Sequence, residues 1–335
     1  GTVMDIMECI YACAKAALQR VAFPEPTNEK ILAAARICAD KSICIPVLVG
    51  APAEIEAAAK EQQVSLDGIT VIDAFDEGYL EKLVERYTEK FPLNSAKTMH
   101  RKAKDPMYTA LMMQALGMAD VTFAGIDHST GDVIMAGQMV VGLQPGVATV
   151  SSVGIFNIPG YEGSEGPLLG FGDSAVCTNP DAEELAGIAI VACDTIRALV
   201  EWEPRCALLS YSTCGSGEGP LVDKVVEAVR IANERRPDLA IDGEFQLDSA
   251  ISPKVAAKKV KRESLVAGKA NIIIWPDLNV GNVGVKLVQQ FAHADAYGPM
   301  LQGFAKIVCD CSRGAPVSEI VGNIAMSCVR AQGGK

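Results

Sequence analysis

Short apolar, β-branched runs alternate with stretches of helical periodicity along most of this chain, and that alternation limits the fold more than any other feature. Ile6, Met7, Ile10, Ala14 and Leu18, with Val3 before them, recur at helical spacing. A short strand follows at 20–23. Thr27 is placed to cap a helix running to about residue 40, and residues 45–50 read as a buried strand closed by glycine. The pattern then repeats, with a helix near 52–63, a strand near 69–74, helices near 76–91 and 106–117, and a strand near 120–125. Parallel strands need crossover helices, and the sheet they form is covered on both faces.

A stretch rich in glycine and proline, residues 142–172, interrupts the alternation and marks the best internal boundary. The apolar run 147–158 inside it predicts one strand. Asn179-Pro180-Asp181 then reads as a helix start, with a cap, a proline in the first turn and an acid at the positive end. Strands at 205–211, 239–242 and 271–275, with helices near 220–235 and 282–291, restore the pattern. The expected fold is therefore α/β, with two three-layer α/β/α domains built on mostly parallel sheets. A chain of 335 residues with 49% hydrophobic content fits two cores better than one.

Thirty basic against 41 acidic residues give a net charge of −11, which disfavours nucleic acid and anionic membrane as partners. No run of about 18 apolar residues and no signal-peptide pattern occur. Eleven cysteines, mostly within apolar runs such as those around Cys38, Cys193 and Cys328, read as reduced thiols of a cytoplasmic protein. With no Cys-x-x-Cys pair and three dispersed histidines, no metal site is expected.

The last forty residues carry the clearest chemistry. A strand at 304–308 runs into Asp310-Cys311-Ser312-Arg313-Gly314, and Pro316 opens a helix with Glu319 in its first turn. Ser312, Arg313 and free backbone N–H groups at a helix N-terminus suit an anion, and the guanidinium fork matches phosphate. The structural alternative makes Arg313 a surface ion pair and Glu319 a complement to the helix dipole.

Ser312-Arg313-Gly314, preceded by Tyr297-Gly298-Pro299 and Gln302-Gly303, resembles the phosphate acetyltransferase (phosphotransacetylase) family. Gly268-Lys269-Ala270-Asn271, Trp275-Pro276-Asp277-Leu278, Asp242-Gly243-Glu244 and Asp127-His128-Ser129-Thr130 resemble further blocks of that family, in its order from about 105 to 330. Phe23-Pro24-Glu25 matches more loosely. The resemblance implies two α/β domains with a cleft between them, one of residues 1–147 plus 299–335 and the other of 148–298. It implies reversible exchange between acyl-CoA plus phosphate and acyl phosphate plus CoA, by direct thiolate attack in a ternary complex. Coenzyme A is then a substrate, no cofactor is needed, and the enzyme is a homodimer. By the same resemblance Arg313, Ser312 and Glu319 are catalytic, with Glu319 as base for the thiol. His128, Ser129, Thr130, Met135, Pro299, Gln302 and Gly314 are substrate-binding positions.

Several positions depart from the family. Glu319 stands where aspartate is usual, moving the carboxylate by about 1.5 Å. Met135 replaces a usual arginine, and Cys214 a usual lysine. Fewer cations around an anion site predict either a longer acyl group on the Met135 side or a member that binds CoA esters as a sensor. Cys214 as a nucleophile, and the basic run Lys254, Lys258, Lys259, Lys261, Arg262 as a CoA phosphate site, compete with plainer readings as a turn residue and a solvated face. For His128, the plainer reading is a ring that holds its loop by a backbone hydrogen bond.

Overall fold

The computed structural model describes residues 5–333, so the expected contribution of Val3 to the first helix lies outside the described residues. The chain forms two compact units, residues 1–142 with 304–335 and residues 143–303.

In unit 1 the order is α1 (Ile6–Ala16), β1 (Arg20–Phe23), α2 (Glu29–Asp40), β2 (Ile45–Gly50), α3 (Pro52–Glu61), β3 (Thr70–Asp73), α4 (Glu77–Lys90), α5 (Ala96–Lys102), α6 (Pro106–Ala115), β4 (Val121–Ala124) and α7 (Thr130–Val140). Unit 2 holds β5 (Ser151–Asn157), β6 (Leu168–Gly172), α8 (Ala182–Val200), β7 (Arg205–Leu209), α9 (Pro220–Arg235), β8 (Ala240–Phe245), α10 (Leu247–Ile251), α11 (Pro253–Lys259), β9 (Ile272–Ile274), α12 (Leu278–Ala292) and β10 (Asp295–Gln302). The chain then returns to unit 1 with β11 (Ile307–Asp310) and α13 (Val317–Gln332).

The sheet of unit 1 is wholly parallel, in the order β11-β4-β1-β2-β3. Successive strands β1 to β3 grow one way, and β4 and β11 then add on the other side of β1. That reversal is a topological switch point, and the carboxyl ends of β1 and β4 flank it. Helix α13 packs against both α1 and α2, while α6 contacts β1, β2 and β4 and is itself covered by α4 and α7. Every residue of α6 from Met107 to Ala115 is buried, as a helix enclosed on all sides requires.

The sheet of unit 2 runs β10-β5-β6-β9-β7-β8. Four strands, β6, β9, β7 and β8, are parallel, whereas β5 pairs antiparallel with both β6 and β10. Its aromatic core stacks Phe171 against Trp275 and sets Phe156 edge-on to Phe171, each with ring centroids 5.0 Å apart.

Local differences from the sequence expectation have local causes. Asn28, not Thr27, caps α2, because its side-chain oxygen accepts from both Lys30 N and Ile31 N. Asp181, two residues after Asn179, caps α8 in a reciprocal box with Glu184. The run 142–172 holds two strands rather than one. The boundaries also shift: β10 stays paired with β5 through Gln302↔Ser151, which keeps residues 299–302 in unit 2. Among the described residues no helix is long and apolar enough to cross a membrane.

Gly281 lets α12 approach the end of β6. A Cβ there would collide with Asp173 O and lie 2.9 Å from Trp275 Cδ1. Gly281→Ala is expected to lower the stability of unit 2 by about 1–3 kcal/mol, read as a shift of the denaturation midpoint at unchanged slope.

Candidate active site

Three strand ends of unit 1 converge at the switch point. Glu25 follows β1, the loop 125–129 follows β4, and Asp310 ends β11. Glu25, 5% exposed, accepts from the backbone N–H groups of Ile126 (3.1 Å), Asp127 (2.7 Å) and His128 (2.9 Å). The His128 ring lies between two carboxylates, with Nδ1 2.7 Å from Glu25 Oε2 and Nε2 2.8 Å from Asp105 Oδ2. So the ring does not hold its loop through a backbone hydrogen bond: both nitrogens are taken by carboxylates, and neither is left for a ligand. Hydrogen bonds to Asp105 and then Glu25 outweigh burial and raise the His128 pKa to about 10. For Asp105, burial pushes upward, but the hydrogen bond from His128, that from Met107 N–H and the imidazolium charge together bring it below its usual value.

Ser129 caps α7 by accepting from Asp132 N at 3.1 Å. Thr130 Oγ1 donates to Asp310 Oδ2 at 2.7 Å, so its proton is committed within the protein. The backbone N–H groups of Thr130 and Gly131, which no i−4 carbonyl can reach, meet no acceptor among the described residues. Met135 is 62% exposed in the second turn of α7.

The turn after β11 is anchored from α2. Lys30 Nζ donates to Arg313 O (3.1 Å) and Ala315 O (3.0 Å), and Cys311 N donates to Ala124 O at 2.6 Å. Ser312, Arg313, Gly314 and Glu319 are all exposed, and among the described residues the Arg313 and Glu319 side chains form no ion pair. The surface ion pair offered as the plainer reading of Arg313 is therefore absent. Gly314 has open space where a Cβ would stand. Burial raises the Asp310 pKa, partly offset by Thr130, and its Oδ1 is buried without a partner. Gly125 (φ +104°) makes room for that carboxyl: a Cβ there would collide with Asp310 Oδ1 and lie 2.7 Å from Cys311 N.

Pro299 and Gln302 belong to unit 2. Pro299 is exposed on β10. Gln302 is 1% exposed, accepts from Thr195 Oγ1 and donates to Ser151 Oγ, so its amide is committed to its own unit. Partial burial raises the Cys214 pKa, which does not suit an activated nucleophile. In the basic run, Arg262 pairs with Asp242 at 2.8 Å and Lys259 lies 3.7 Å from Asp248. Among the described residues no group of three or more His, Cys, Asp or Glu could hold a metal ion. Sequence reasoning missed Glu25 as a site residue, along with Asp105, Lys30 and Asp310. For Glu25 the available signals were its place between two prolines just past a strand and the loose family match of Phe23-Pro24-Glu25.

The family model described as phosphate acetyl/butaryl transferase matches residues 5–328. This chain belongs to that family. Phosphate acetyltransferase of Clostridium acetobutylicum is 40% identical over 99% of this chain and all of the relative. Phosphate acetyltransferase of Treponema pallidum is 40% identical over 98% of this chain and all of the relative. A crystal structure of a phosphotransacetylase from Streptococcus pyogenes superposes with a TM-score of 0.91 at 31% identity, covering 99% of each chain.

For this family member the His128 bridge has a measurable sign. A histidine whose pKa is raised on folding, here to about 10 from about 6.5, contributes its full stabilisation below the lower value and loses it as pH rises through the upper one. The melting temperature is expected to fall between about pH 7 and pH 10, and His128→Gln to flatten that slope in thermal melts across the same range.

Proposed function

We propose that this chain is a phosphate acyltransferase acting on short-chain acyl groups, acetyl first, exchanging acyl-CoA plus phosphate for acyl phosphate plus CoA without metal or further cofactor. One observation carries the reading: in a chain matching named phosphate acetyltransferases over 99% of its length, the side chains of Arg313, Ser312 and Glu319 stand exposed and unpaired beside a turn pinned by Lys30. A cytoplasmic setting suits such substrates.

In the direction of acyl-CoA synthesis, the CoA sulfur attacks the acyl carbon of acyl phosphate. The C–S bond forms, the C–O bond to phosphate breaks, and phosphate leaves. A thiol with a pKa of about 8.5 is mostly protonated at neutral pH, so Glu319 takes its proton as sulfur attacks. Arg313 and the Ser312 hydroxyl stabilise the charge that grows on the carbonyl oxygen and on the departing phosphate. The Ser129 hydroxyl and the free N–H groups of Thr130 and Gly131 serve as phosphate donors at the positive end of α7.

CoA-dependent phosphate release from acyl phosphates tests this. Arg313→Ala is expected to lower kcat about 10²–10³-fold. CoA binding without turnover on any acyl phosphate would instead favour a sensor. The exposure of Met135 supports reading it as an apolar wall on the acyl side. Met135→Ala is then expected to reduce kcat/KM for butyryl phosphate by about tenfold more than for acetyl phosphate; equal loss on both removes Met135 from chain-length selection.

A homodimer is part of the same proposal. Val280, Val283, Leu287 and Phe291 expose one apolar stripe along α12, with Phe291 81% exposed, and we assign that face to a second copy of this chain. Phe291→Asp is expected to give monomers in light scattering after size exclusion; an unchanged mass places the dimer contact elsewhere.

A further inference from the structure

Four donors converge on one buried carboxylate at the switch point. Oε1 of Glu25 accepts from Ile126 N, and Oε2 accepts from Asp127 N, His128 N and His128 Nδ1. In number they equal the four lone pairs of an ionised carboxylate, with three of the donors sharing Oε2. The far ring nitrogen of His128 faces a second carboxylate, Asp105, whose other oxygen accepts from Met107 N at the start of α6. Carboxylate oxygens only accept, so a ring held between two of them carries hydrogen on both nitrogens.

We propose that Glu25 is the positioning residue of this site: by gathering the 126–128 backbone and an imidazolium His128, it fixes the N-terminal end of α7, where phosphate is held. The phosphate half of this statement rests on the function proposed above. Glu25 never touches the reacting atoms. Its role passes through three backbone amides to Ser129 and Thr130, and the Thr130–Asp310 bond joins that end of α7 to the turn bearing Arg313. The loss of a cation at Met135 makes the placement of the neutral donors more important, because they remain to meet the anion. Burial raises the pKa of both Asp310 and Cys311, and the charge of Glu25 adds to that rise across the strand ends.

A glutamine fills the same volume but offers one acceptor oxygen and an NH2 that would oppose donors. Glu25→Gln therefore leaves amides of the loop unpaired while sparing the packing. Three readouts that do not depend on turnover test the proposal. In 15N NMR of the full chain, one of the three histidines is expected to keep both ring nitrogens protonated at pH 8.5, and its signal to vanish in His128→Gln. In Glu25→Gln, hydrogen exchange at residues 126–128 is expected to quicken about tenfold. Inorganic phosphate, titrated calorimetrically, is expected to bind about tenfold more weakly, with CoA affinity within about twofold of wild type.

A neutral His128 at pH 8.5 in the wild type would overturn the proposal. So would unchanged exchange at 126–128 in the variant, or equal weakening of phosphate and CoA. Asp105→Asn supplies a second variant if Glu25→Gln does not fold, since asparagine can still cap α6. It is expected to cost His128 its second ring proton while 126–128 stay protected; a doubly protonated ring in that variant contradicts the assigned bridge. Absence of turnover in the wild type would refute the proposed activity and leave these readouts intact.

Discussion

A carboxylate buried where β1 and β4 part company holds this site together. Parallel strands end with backbone groups that the ladder no longer pairs, and at a switch point the two loops leave in opposite directions. Something must satisfy the amides of the loop after β4. Glu25 does so with both oxygens, and Oε2, which already accepts from two of the amides, also takes the His128 ring. A buried carboxylate without those donors would be costly, and the amides without it would be orphaned. Each half requires the other, and together they hold the loop after β4 so that Ser129 starts α7 where it does.

An overall charge of −11 opposes the two anionic substrates of the proposed reaction, and the resolution lies in what kind of positive charge the site uses. Lys30, which anchors the Arg313 turn, directs its ammonium to two backbone carbonyls of that turn. His128 is charged but enclosed by acids. Arg313 is the side-chain cation left exposed and unpaired on that turn. The rest of the positive character comes from unpaired N–H groups at helix starts, which carry partial charge and cannot neutralise by losing a proton. Such a site depends on geometry more than on charge count.

The fold was largely legible because its signal is local. Apolar runs of strand length, closed by glycine or proline, gave β2 and β9, and the helix expected near 220–235 is α9. What escaped was where local signals conflict. Helix α7 contains Gly131, Gly137 and the β-branched Val133 and Ile134, a poor helix by propensity. Gly137 is there for tertiary reasons, since a Cβ would stand 2.6 Å from the Phe304 ring. Strand β6 is glycine-rich because Gly172 passes close to Ser152 O, which its neighbours in the sheet impose and its own sequence does not announce.

The site divides in the same way. Ser312, Arg313, Gly314 and Glu319 lie within eight residues, so a motif can carry them. Glu25 and His128 are separated by 103 positions and Thr130 and Asp310 by 180, and they become neighbours only through the order β11-β4-β1. The His128 ring, for which substrate binding and loop-holding were both open in the sequence, meets Glu25 and Asp105, and the Thr130 hydroxyl, expected to help bind phosphate, donates to Asp310. Hydrogen bonding is exclusive. A proton given to Asp310 cannot also be given to phosphate, so substrate donors must be sought among the groups the fold leaves unanswered, the hydroxyl of Ser129 and the first N–H groups of α7.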